Sequence, residues 1–449
     1  MRKLLSMLLC GVCLVALLCS CTKDDPYKTY DVSVQLVYPA GSEFTPVEGV
    51  TVNARNVTTD MLYTGTTDAS GIATIAVVAG IYEFTSTETR AKNGTAVMFN
   101  GLKTGITVTK EWKNNPQTVS IELVETEAKQ IIIKEVYVGG CPKNDGSGSF
   151  ANDKYIVLYN NSEVDADLTN LCFAIPIQYN SYATNVDYVD GVLSYESEHK
   201  VPAGHGLWTW GTETPKLKPG EQVVVAMTGA INNTLTYNYS VDLSKSDYYA
   251  MYDPESGYNN AAMYPTPSEN IATAHYLKAY RYGAGSGWTI SVASPSFFIF
   301  ITPEGVTPQS FFEDTSNENL YNNLAAMKRK WVPSDWVVDA VEGFKIGEGA
   351  KNKKRLITEV DAGSIAFINT KGYTIYRNVN KEATEAIAGN TGKIVYGYSG
   401  GTTDIEEGTT DPSGIDAEAS IQNGAHIIFM DTNNSTNDYH LRKEAALRK

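Results

Sequence analysis

Alternation of apolar and polar residues over short runs is the feature that most limits how this chain of 449 residues can fold. In residues 32–36 and again in residues 119–123, every second residue is Val, Ile or Leu, and the residues between them are polar. A period of two is typical of a β-strand that buries one face. Asp and Gly residues between such runs form tight turns. The sequence therefore predicts a mainly β fold.

Three motifs lie in a fixed order between these two runs. They are P-x-x-G-x-x-V at residues 46–52, T-D-x-x-G at residues 67–71 and x-G-x-Y at residues 79–82. This order resembles the carboxypeptidase-regulatory-like domain, a transthyretin-type β-sandwich, and the resemblance covers about residues 28–125. It implies a small, non-catalytic module.

A second set of motifs follows a charged junction at residues 125–129. The set comprises a β-branched run at residues 131–136, K-Y-I-V-L-Y-N-N at 154–161, V-D-A-D-L at 164–168, L-K-P-G-E at 217–221, V-V-V-A at 223–226, and two later pieces at 336–341 and 372–377. This order resembles the lamin-tail domain, an immunoglobulin-like sandwich of bacterial surface proteins. Val157 departs from the pattern, because the family usually has Glu there.

The two resemblances imply a division of the chain. We expect a signal peptide at residues 1–20, a tether at 21–29, a carboxypeptidase-regulatory-like sandwich at 30–125 and a lamin-tail-like sandwich at 130–449. An immunoglobulin-like domain needs only about 100 residues, so the second domain must carry large insertions. The predicted fold is mainly β, with two β-sandwich (immunoglobulin-like) domains and one or two short helices in the second.

The N-terminal residues predict where the protein resides. Arg2 and Lys3 precede an uncharged apolar run at residues 4–18, which is shorter than the about 20 residues that span a bilayer. The run is therefore typical of a signal peptide. L-C-S-C at residues 18–21 resembles a lipobox, which implies lipidation of Cys21 and attachment to a membrane.

Lys23, Asp24 and Asp25 follow the lipidation site, and they resemble the export signal of Bacteroidota lipoproteins. The resemblance implies an outer-membrane protein that is anchored by lipid and faces the cell exterior. Lipobox, first sandwich and expanded second domain together resemble a family of Bacteroidota surface lipoproteins of unknown function.

Charge and cysteine content narrow the partners and the covalent links. The formal net charge is −15, which argues against binding to nucleic acid. Past the lipidation site, Cys141 and Cys172 are the remaining cysteines. Outside the cytoplasm they can form a disulfide. The alternative is two separately buried cysteines.

An aromatic insertion supplies the candidate ligand contacts. Seven tyrosines lie among Asn, Ser and Asp in residues 237–264, and Trp208 and Trp210 lie upstream. Aromatic rings beside amides and carboxylates can stack on sugar faces or anchor a protein partner. The candidates are Trp208, Trp210, Tyr248, Tyr249 and Tyr252. The alternative is packing, since alternation puts both tryptophan rings on one face of a strand.

Two segments are predicted to be helical. Thr315 and Glu318 form a capping-box pattern, and Leu320, Leu324 and Met327 follow at helical spacing. The basic segment at residues 441–449 is also predicted to be a helix. We assign no functional role to the first helix, because a helix of this kind is usually a covering element.

Motifs for catalysis and metal binding are sparse. Residues 397–401 fit G-x-S-x-G around Ser399, but Gly, Thr and Pro follow where a nucleophile elbow needs a helix. The five histidines lack H-E-x-x-H spacing. Residues 431–438 lack the Gly and the closing Glu of an EF-hand loop. We therefore predict no catalytic residue, no metal and no cofactor, so the chain is expected not to be an enzyme.

Three functions remain open. The first is a non-catalytic, lipid-anchored cell-surface protein that binds a partner protein or ligand, for example as an accessory to an outer-membrane transporter. The second is a surface glycan-binding or glycan-processing protein, because paired carboxylates need be close only in space. The third is an adhesin or structural surface subunit. The expected partners are the membrane, through lipid on Cys21, and an outer-membrane protein or a glycan.

Overall fold

The described part of the chain begins after the N-terminal signals. The computed structural model describes residues 28–92, 95–113, 117–127, 129–181, 184–348, 351–405 and 409–448. The predicted signal peptide, Cys21, the export signal Lys23, Asp24 and Asp25, and most of the tether lie outside these residues. No helix within the described ranges has both the length and the apolar character to cross a bilayer.

Eight strands between residues 29 and 127 form a β-sandwich with its own core. They are β1 (Thr29–Val37), β2 (Thr51–Asn56), β3 (Leu62–Thr66), β4 (Ile72–Val78), β5 (Gly80–Lys92), β6 (Thr95–Val108), β7 (Thr118–Glu122) and β8 (Val124–Glu127). One sheet has the order β4-β1-β7 and the other β3-β2-β5-β6-β8. Val34, Ile121 and Phe84 belong to one core cluster between the sheets, and this cluster contains only residues of this segment.

The rest of the described chain is built on two six-stranded sheets. Its strands are β9 (Ile131–Tyr137), β10 (Cys141–Pro142), β11 (Ser149–Phe150), β12 (Tyr155–Asn160), β13 (Ala166–Asp167), β14 (Leu171–Ala174), β15 (Tyr188–Val189), β16 (Val192–Leu193), β17 (Lys200–Gly204), β18 (Gly206–Thr209), β19 (Lys216–Leu217), β20 (Gln222–Ala226), β21 (Tyr249–Ala250), β22 (Lys278–Arg281), β23 (Ser296–Ile301), β24 (Glu318–Leu320), β25 (Lys328–Pro333), β26 (Val337–Lys345), β27 (Ile365–Phe367), β28 (Thr374–Arg377) and β29 (Tyr439–Arg442). The first large sheet has the order β21-β20-β12-β9-β28-β29, and the second large sheet β22-β18-β14-β23-β26-β27. Ile156 of the first and Ile299 of the second pack in one core between them.

Both large sheets are also covered on their outer faces. On the second large sheet, Phe298 and Phe300 pack against Val332 of the small sheet β17-β25-β24. On the first, insertion residues such as Val241 cover Val157. The valine at a position where the lamin-tail pattern has Glu is therefore explained by an apolar cover. The prediction of a mainly β fold built on sandwiches is confirmed.

The described helices are short and do not lie where the sequence predicted them. They are α1 (Pro308–Glu313), α2 (Lys381–Ala386), α3 (Ala417–Gln422) and α4 (Ser435–Asp438). Of these, α1 has a true capping box, in which Thr307 accepts a hydrogen bond from the backbone N–H of Ser310 at 3.1 Å.

The prediction of a first helix is wrong. It was based on Thr315, Glu318, Leu320, Leu324 and Met327. Glu318–Leu320 is β24, which pairs with β25 across a turn that contains Asn322 at φ 52°. Cross-strand contacts stabilise this hairpin, because the ammonium group of Lys328 lies 2.9 Å from the Glu318 carboxylate. The C-terminal helix is also wrong, since residues 441–442 complete β29 and pair with β28.

The structure distinguishes the two alternatives for the cysteines. Cys141 and Cys172 are both free and buried. Cys172 lies on the outer face of the second large sheet, whereas Cys141 lies in the β10–β11 hairpin with its Sγ 3.8 Å from Asp153. Burial raises the pKa of Cys141 to about 11, so it stays a thiol at neutral pH. The structure is that of the second alternative, two separately buried cysteines.

A polar junction joins the first sandwich to the C-terminal part of the chain. Thr87 of β5 accepts a hydrogen bond at 2.7 Å from the side-chain amide of Asn434. Thr87 also donates to Asn100 of β6 at 2.8 Å, and Asn100 donates to the carbonyl oxygen of Thr432. The loop at residues 431–438 therefore docks on the β5–β6 hairpin.

Candidate functional site

Trp208, one of the five predicted ligand contacts, lies in the core between the large sheets. Its ring is 0% exposed and stacks on Tyr258 at a centroid distance of 5.7 Å. The alternation of Trp208 and Trp210 on β18 and just after it places both rings on the inner face of the sheet. Packing in the core therefore explains Trp208, whose ring has no exposed surface for a ligand.

Tyr249 and Tyr248 are also held by packing. Tyr249 is 5% exposed and lies between Trp210, at a ring distance of 5.2 Å, and His275, at 4.3 Å. Burial raises its pKa to about 12. Tyr248 is half-buried against the outer face of the first large sheet. Packing against neighbouring residues therefore accounts for both rings.

Trp210 and Tyr252, the other two candidates, line one open cleft of about 550 Å³. Tyr276 and Tyr280 complete its aromatic wall. The cleft lies where β21 and β22, edge strands of the two large sheets, come together at a bridge between Ala250 and Tyr276. We call this the aromatic cleft. Clefts of this size are the usual binding sites for small ligands.

The rings of the aromatic cleft are fixed from behind. Trp210 donates its indole N–H to the carbonyl oxygen of Leu168 at 2.9 Å. The rings of Tyr252 and Tyr276 meet edge to face at 5.4 Å, with an angle of 74° between them. Tyr280 stacks on Phe312 at 5.0 Å. This support gives the cleft a preformed wall.

The tyrosine hydroxyl groups of the cleft are available to a ligand. Burial raises the pKa of Tyr276 and Tyr280, so both stay neutral at physiological pH. Within the described residues, the hydroxyl groups of Tyr252, Tyr276 and Tyr280 form no hydrogen bond. Each can therefore both donate to and accept from a bound molecule.

Charged groups of both signs border the rings. The ammonium group of Lys278 lies 2.9 Å from Oδ2 of Asp253, and the same oxygen accepts the backbone N–H of Ala279 at 3.1 Å. Oδ1 of Asp253 accepts no hydrogen bond from the described residues. Glu255 is exposed at the rim. The cleft therefore offers a carboxylate acceptor and an ammonium donor side by side.

Sequence reasoning missed Tyr276, Lys278 and Tyr280. All three lie beyond the tyrosine-rich window at residues 237–264, which supplied the candidates. Their signal is a period of two, because Tyr276, Lys278 and Tyr280 alternate with the buried Leu277 and Ala279. Such alternation places the three side chains on one face of a strand.

The residues that fit catalytic or metal-binding motifs do not have the contacts of such sites within the described structure. Ser399 is exposed and forms no hydrogen bond with a histidine in the described structure. In the loop at residues 431–438, the Asp438 carboxylate accepts hydrogen bonds from Thr432 and Asn434. The positive charge beside these carboxylates is the Arg377 guanidinium, which lies 3.5 Å from Asp431 and 3.8 Å from Asp438. Across the described ranges, no three His, Cys, Asp or Glu residues form a group that could hold a metal ion.

Known proteins resemble this chain in part of its sequence and in its fold. Residues 218–396 match the model of a family described as "Protein of unknown function (DUF4876)". None of the curated proteins matches the sequence. A crystal structure of a DUF4876 family protein from Bacteroides thetaiotaomicron VPI-5482 is similar, with 20% sequence identity and a TM-score of 0.50 over 92% of this chain and 94% of that chain. At this identity the likeness concerns the fold alone. The matched residues 218–396 include the part of the aromatic cleft from Tyr252 to Tyr280.

Proposed function

We propose that this chain is a non-catalytic cell-surface protein that binds a ligand or a partner protein in the aromatic cleft. The lipid on Cys21 anchors it in the outer membrane, and the signal at Lys23, Asp24 and Asp25 places it on the outer face. The observation that carries the proposal is the cleft itself, at the edges of two sheets, with supported rings and with tyrosine hydroxyl groups that form no hydrogen bond to the described residues. We also infer that residues 30–125 are the carboxypeptidase-regulatory-like module and that the following sandwich is the lamin-tail-like one.

The non-catalytic part of the proposal is supported by the aromatic cleft. Asp253 is held through Oδ2 by Lys278 and by a backbone N–H, and among the described residues no serine, cysteine or histidine lines this cleft. The carboxylates of Asp253 and Glu255 therefore have no nucleophilic serine or cysteine and no histidine beside them in the cleft. The supported rings suit the cleft to holding a molecule.

Photocrosslinking on intact cells tests the binding site. A photoreactive amino acid at Glu255, on the cleft rim, is expected to give a discrete adduct with the natural ligand or partner. The same probe at Tyr239, an exposed tyrosine of the same insertion, is the matched control and is expected to give none. A transporter would appear as an adduct of high mass. Equal labelling at both positions, or at neither, contradicts the proposal.

The anchor is tested separately. Cys21→Ser is expected to abolish incorporation of radiolabelled palmitate and to release the protein from the outer-membrane fraction. Protease added to intact cells is expected to digest the wild-type protein, because it faces outward. A protected wild-type protein would contradict surface exposure, whatever the cleft binds.

A further inference from the structure

We propose that the ligand of the aromatic cleft is an uncharged carbohydrate, a proposal that rests on the binding function above. A sugar ring has apolar C–H faces that pack on aromatic rings and hydroxyl groups that need hydrogen-bond partners around its edge. Tyr252 and Tyr276 supply half-buried rings, and their hydroxyl groups have no partner among the described residues. The wall therefore offers both kinds of contact in one place.

The polar groups of the cleft match neighbouring sugar hydroxyl groups. Oδ1 of Asp253 is an open acceptor, and the half-exposed ammonium group of Lys278 is a donor 2.9 Å from the other oxygen of the same carboxylate. One hydroxyl can donate to the carboxylate while the next accepts from the ammonium group. Because Asp253 is already fixed by Lys278 and the Ala279 N–H, little side-chain freedom is lost on binding.

The charges of the cleft favour a neutral ligand over an anionic one. Glu255 on the rim and the net charge of −15 repel an anion. Lys278 is paired with Asp253 at 2.9 Å and competes with a cationic ligand for that carboxylate. A neutral molecule meets neither the repulsion nor this competition.

The backbone of the cleft disfavours an added polypeptide strand. β22 is an edge strand of the second large sheet, and free N–H groups on such an edge usually recruit extended peptides. Here the Ala279 N–H is already bonded to Asp253 at 3.1 Å. A strand could not pair at that position without displacing the carboxylate.

Titration calorimetry of the full-length protein in detergent tests the proposal. The probes are cellohexaose, mannohexaose, maltohexaose and laminarihexaose as neutral saccharides, hyaluronan hexasaccharide as an anionic one, and hexalysine as a cationic peptide. At least one neutral saccharide is expected to bind with an affinity that hardly changes with salt. The charged probes are expected not to bind.

Variants locate the site. Tyr276→Ala is expected to weaken neutral saccharide binding at least about tenfold, and Tyr239→Ala, outside the cleft, to leave it unchanged. Tyr252→Phe and Asp253→Asn keep the shape of the wall and remove single polar contacts, so an intermediate loss in these variants separates recognition from misfolding. Unchanged binding in all the cleft variants would overturn the assignment of the site.

Failure of this inference differs from failure of the proposed function. If no neutral saccharide binds but the Glu255 photoprobe still gives a polypeptide adduct, the carbohydrate assignment is wrong and the binding function stands. If no neutral saccharide binds and the photoprobe gives no adduct either, both are wrong. Binding of hyaluronan or hexalysine in place of the neutral probes also contradicts the carbohydrate proposal.

Discussion

The first sandwich and the following two-sheet region bury their strands in different ways. In β1 and β2, buried and more exposed residues alternate, so each strand has one solvent-exposed face. In β9 and β12 every residue is buried, because insertions cover the outer faces of the large sheets. A strand with one solvent-exposed face can hold charges at little cost. A strand covered on both faces must pair its ionisable groups, hydrogen-bond them or keep them neutral.

One arginine from each region illustrates the contrast. In the first sandwich, Arg55 reaches Asp60 and Glu83 at 3.1 and 3.3 Å, with about a third of its side chain exposed. In the two-sheet region, Arg377 is fully buried among Asp339, Asp431 and Asp438. Burial raises the pKa of Asp438 to about 6 despite the nearby guanidinium. Arg377 therefore holds a cluster of carboxylates away from water, whereas Arg55 pairs at a surface that water reaches.

The largest expected effect comes from Arg377→Met. Removing the guanidinium leaves three buried carboxylates without a cation, and the expected loss in the free energy of unfolding is roughly 3–5 kcal/mol. Denaturant titration with segment-resolved hydrogen exchange measures it. Arg55→Met is the matched control and is expected to cost less than about 1 kcal/mol. Similar losses of stability in both variants would contradict the difference between the buried Arg377 cluster and the partly exposed pairs of Arg55.

A core substitution in the first sandwich tests whether its own core stabilises it. Ile121 is fully buried there, and Ile121→Ala is expected to cost about 3 kcal/mol through lost contacts and a cavity. Hydrogen exchange is expected to rise in residues 29–127 and to stay unchanged in β9 and β12. The reciprocal variant Ile156→Ala is expected to give the opposite pattern. Loss of protection throughout the chain in both variants would mean that the two regions unfold as one unit.

The same contrast explains which strands and helices could be predicted from the sequence. Alternation in residues 32–36 predicted β1, because a half-buried strand shows its period in the sequence. Thr315 and Glu318 suggested a helix, because a capping box is a local signal, and the pairing of β24 with β25 overrode it. Local pattern gives little information where long-range pairing determines the structure.

The candidate site was predictable in part for related reasons. Tyr252 and Trp210 were found because aromatic residues cluster in the sequence near them. Tyr276 and Tyr280 reach the same cleft only because the edges of two sheets meet in space. Cys141 and Cys172 illustrate the same limit, since only the fold shows that they lie in different layers.

A buried histidine extends the comparison to pH. His440 is 1% exposed, contacts Asn378 through Nδ1 at 2.8 Å and Tyr398 through Nε2 at 2.6 Å, and lies near Arg442. Burial, with a smaller contribution from Arg442, lowers its pKa from about 6.5 to about 3. Between these values the unfolded chain binds more protons than the folded one, so stability falls as the pH drops below about 6.5.

His440→Gln removes this dependence and keeps an amide for both partners. Between pH 7 and about pH 5, the wild type is expected to lose about 2 kcal/mol more than the variant. Carboxyl groups such as Asp438, with its pKa raised to about 6, act in the opposite direction. They are present in both proteins and cancel in the difference. Parallel pH profiles for the two proteins would contradict a neutral, buried His440.

The smallest expected effect lies at the junction between the two regions. Thr87 accepts from Asn434 at 2.7 Å and donates to Asn100 at 2.8 Å, so Thr87→Val leaves the Asn434 amide without this acceptor at almost unchanged shape. The expected cost is about 1 kcal/mol. Thr85→Val, two residues earlier on β5, is the control and is expected to be nearly neutral, because the Thr85 side chain forms no hydrogen bond with a described residue.

A double-mutant cycle with Asn434→Ala separates the junction from the helix cap, because Asn434 also caps α4 by accepting the N–H of Thr436 at 3.0 Å. The cap is lost whether or not Thr87 is present, so it cancels in the cycle. A coupling energy of about 1 kcal/mol is then the value of the contact between the regions. Calorimetry is expected to show the two transitions moving apart in Thr87→Val, since a weaker junction lets the first sandwich and the two-sheet region unfold more independently. A coupling energy near zero would mean that the first sandwich and the two-sheet region are in contact at the junction without stabilising each other.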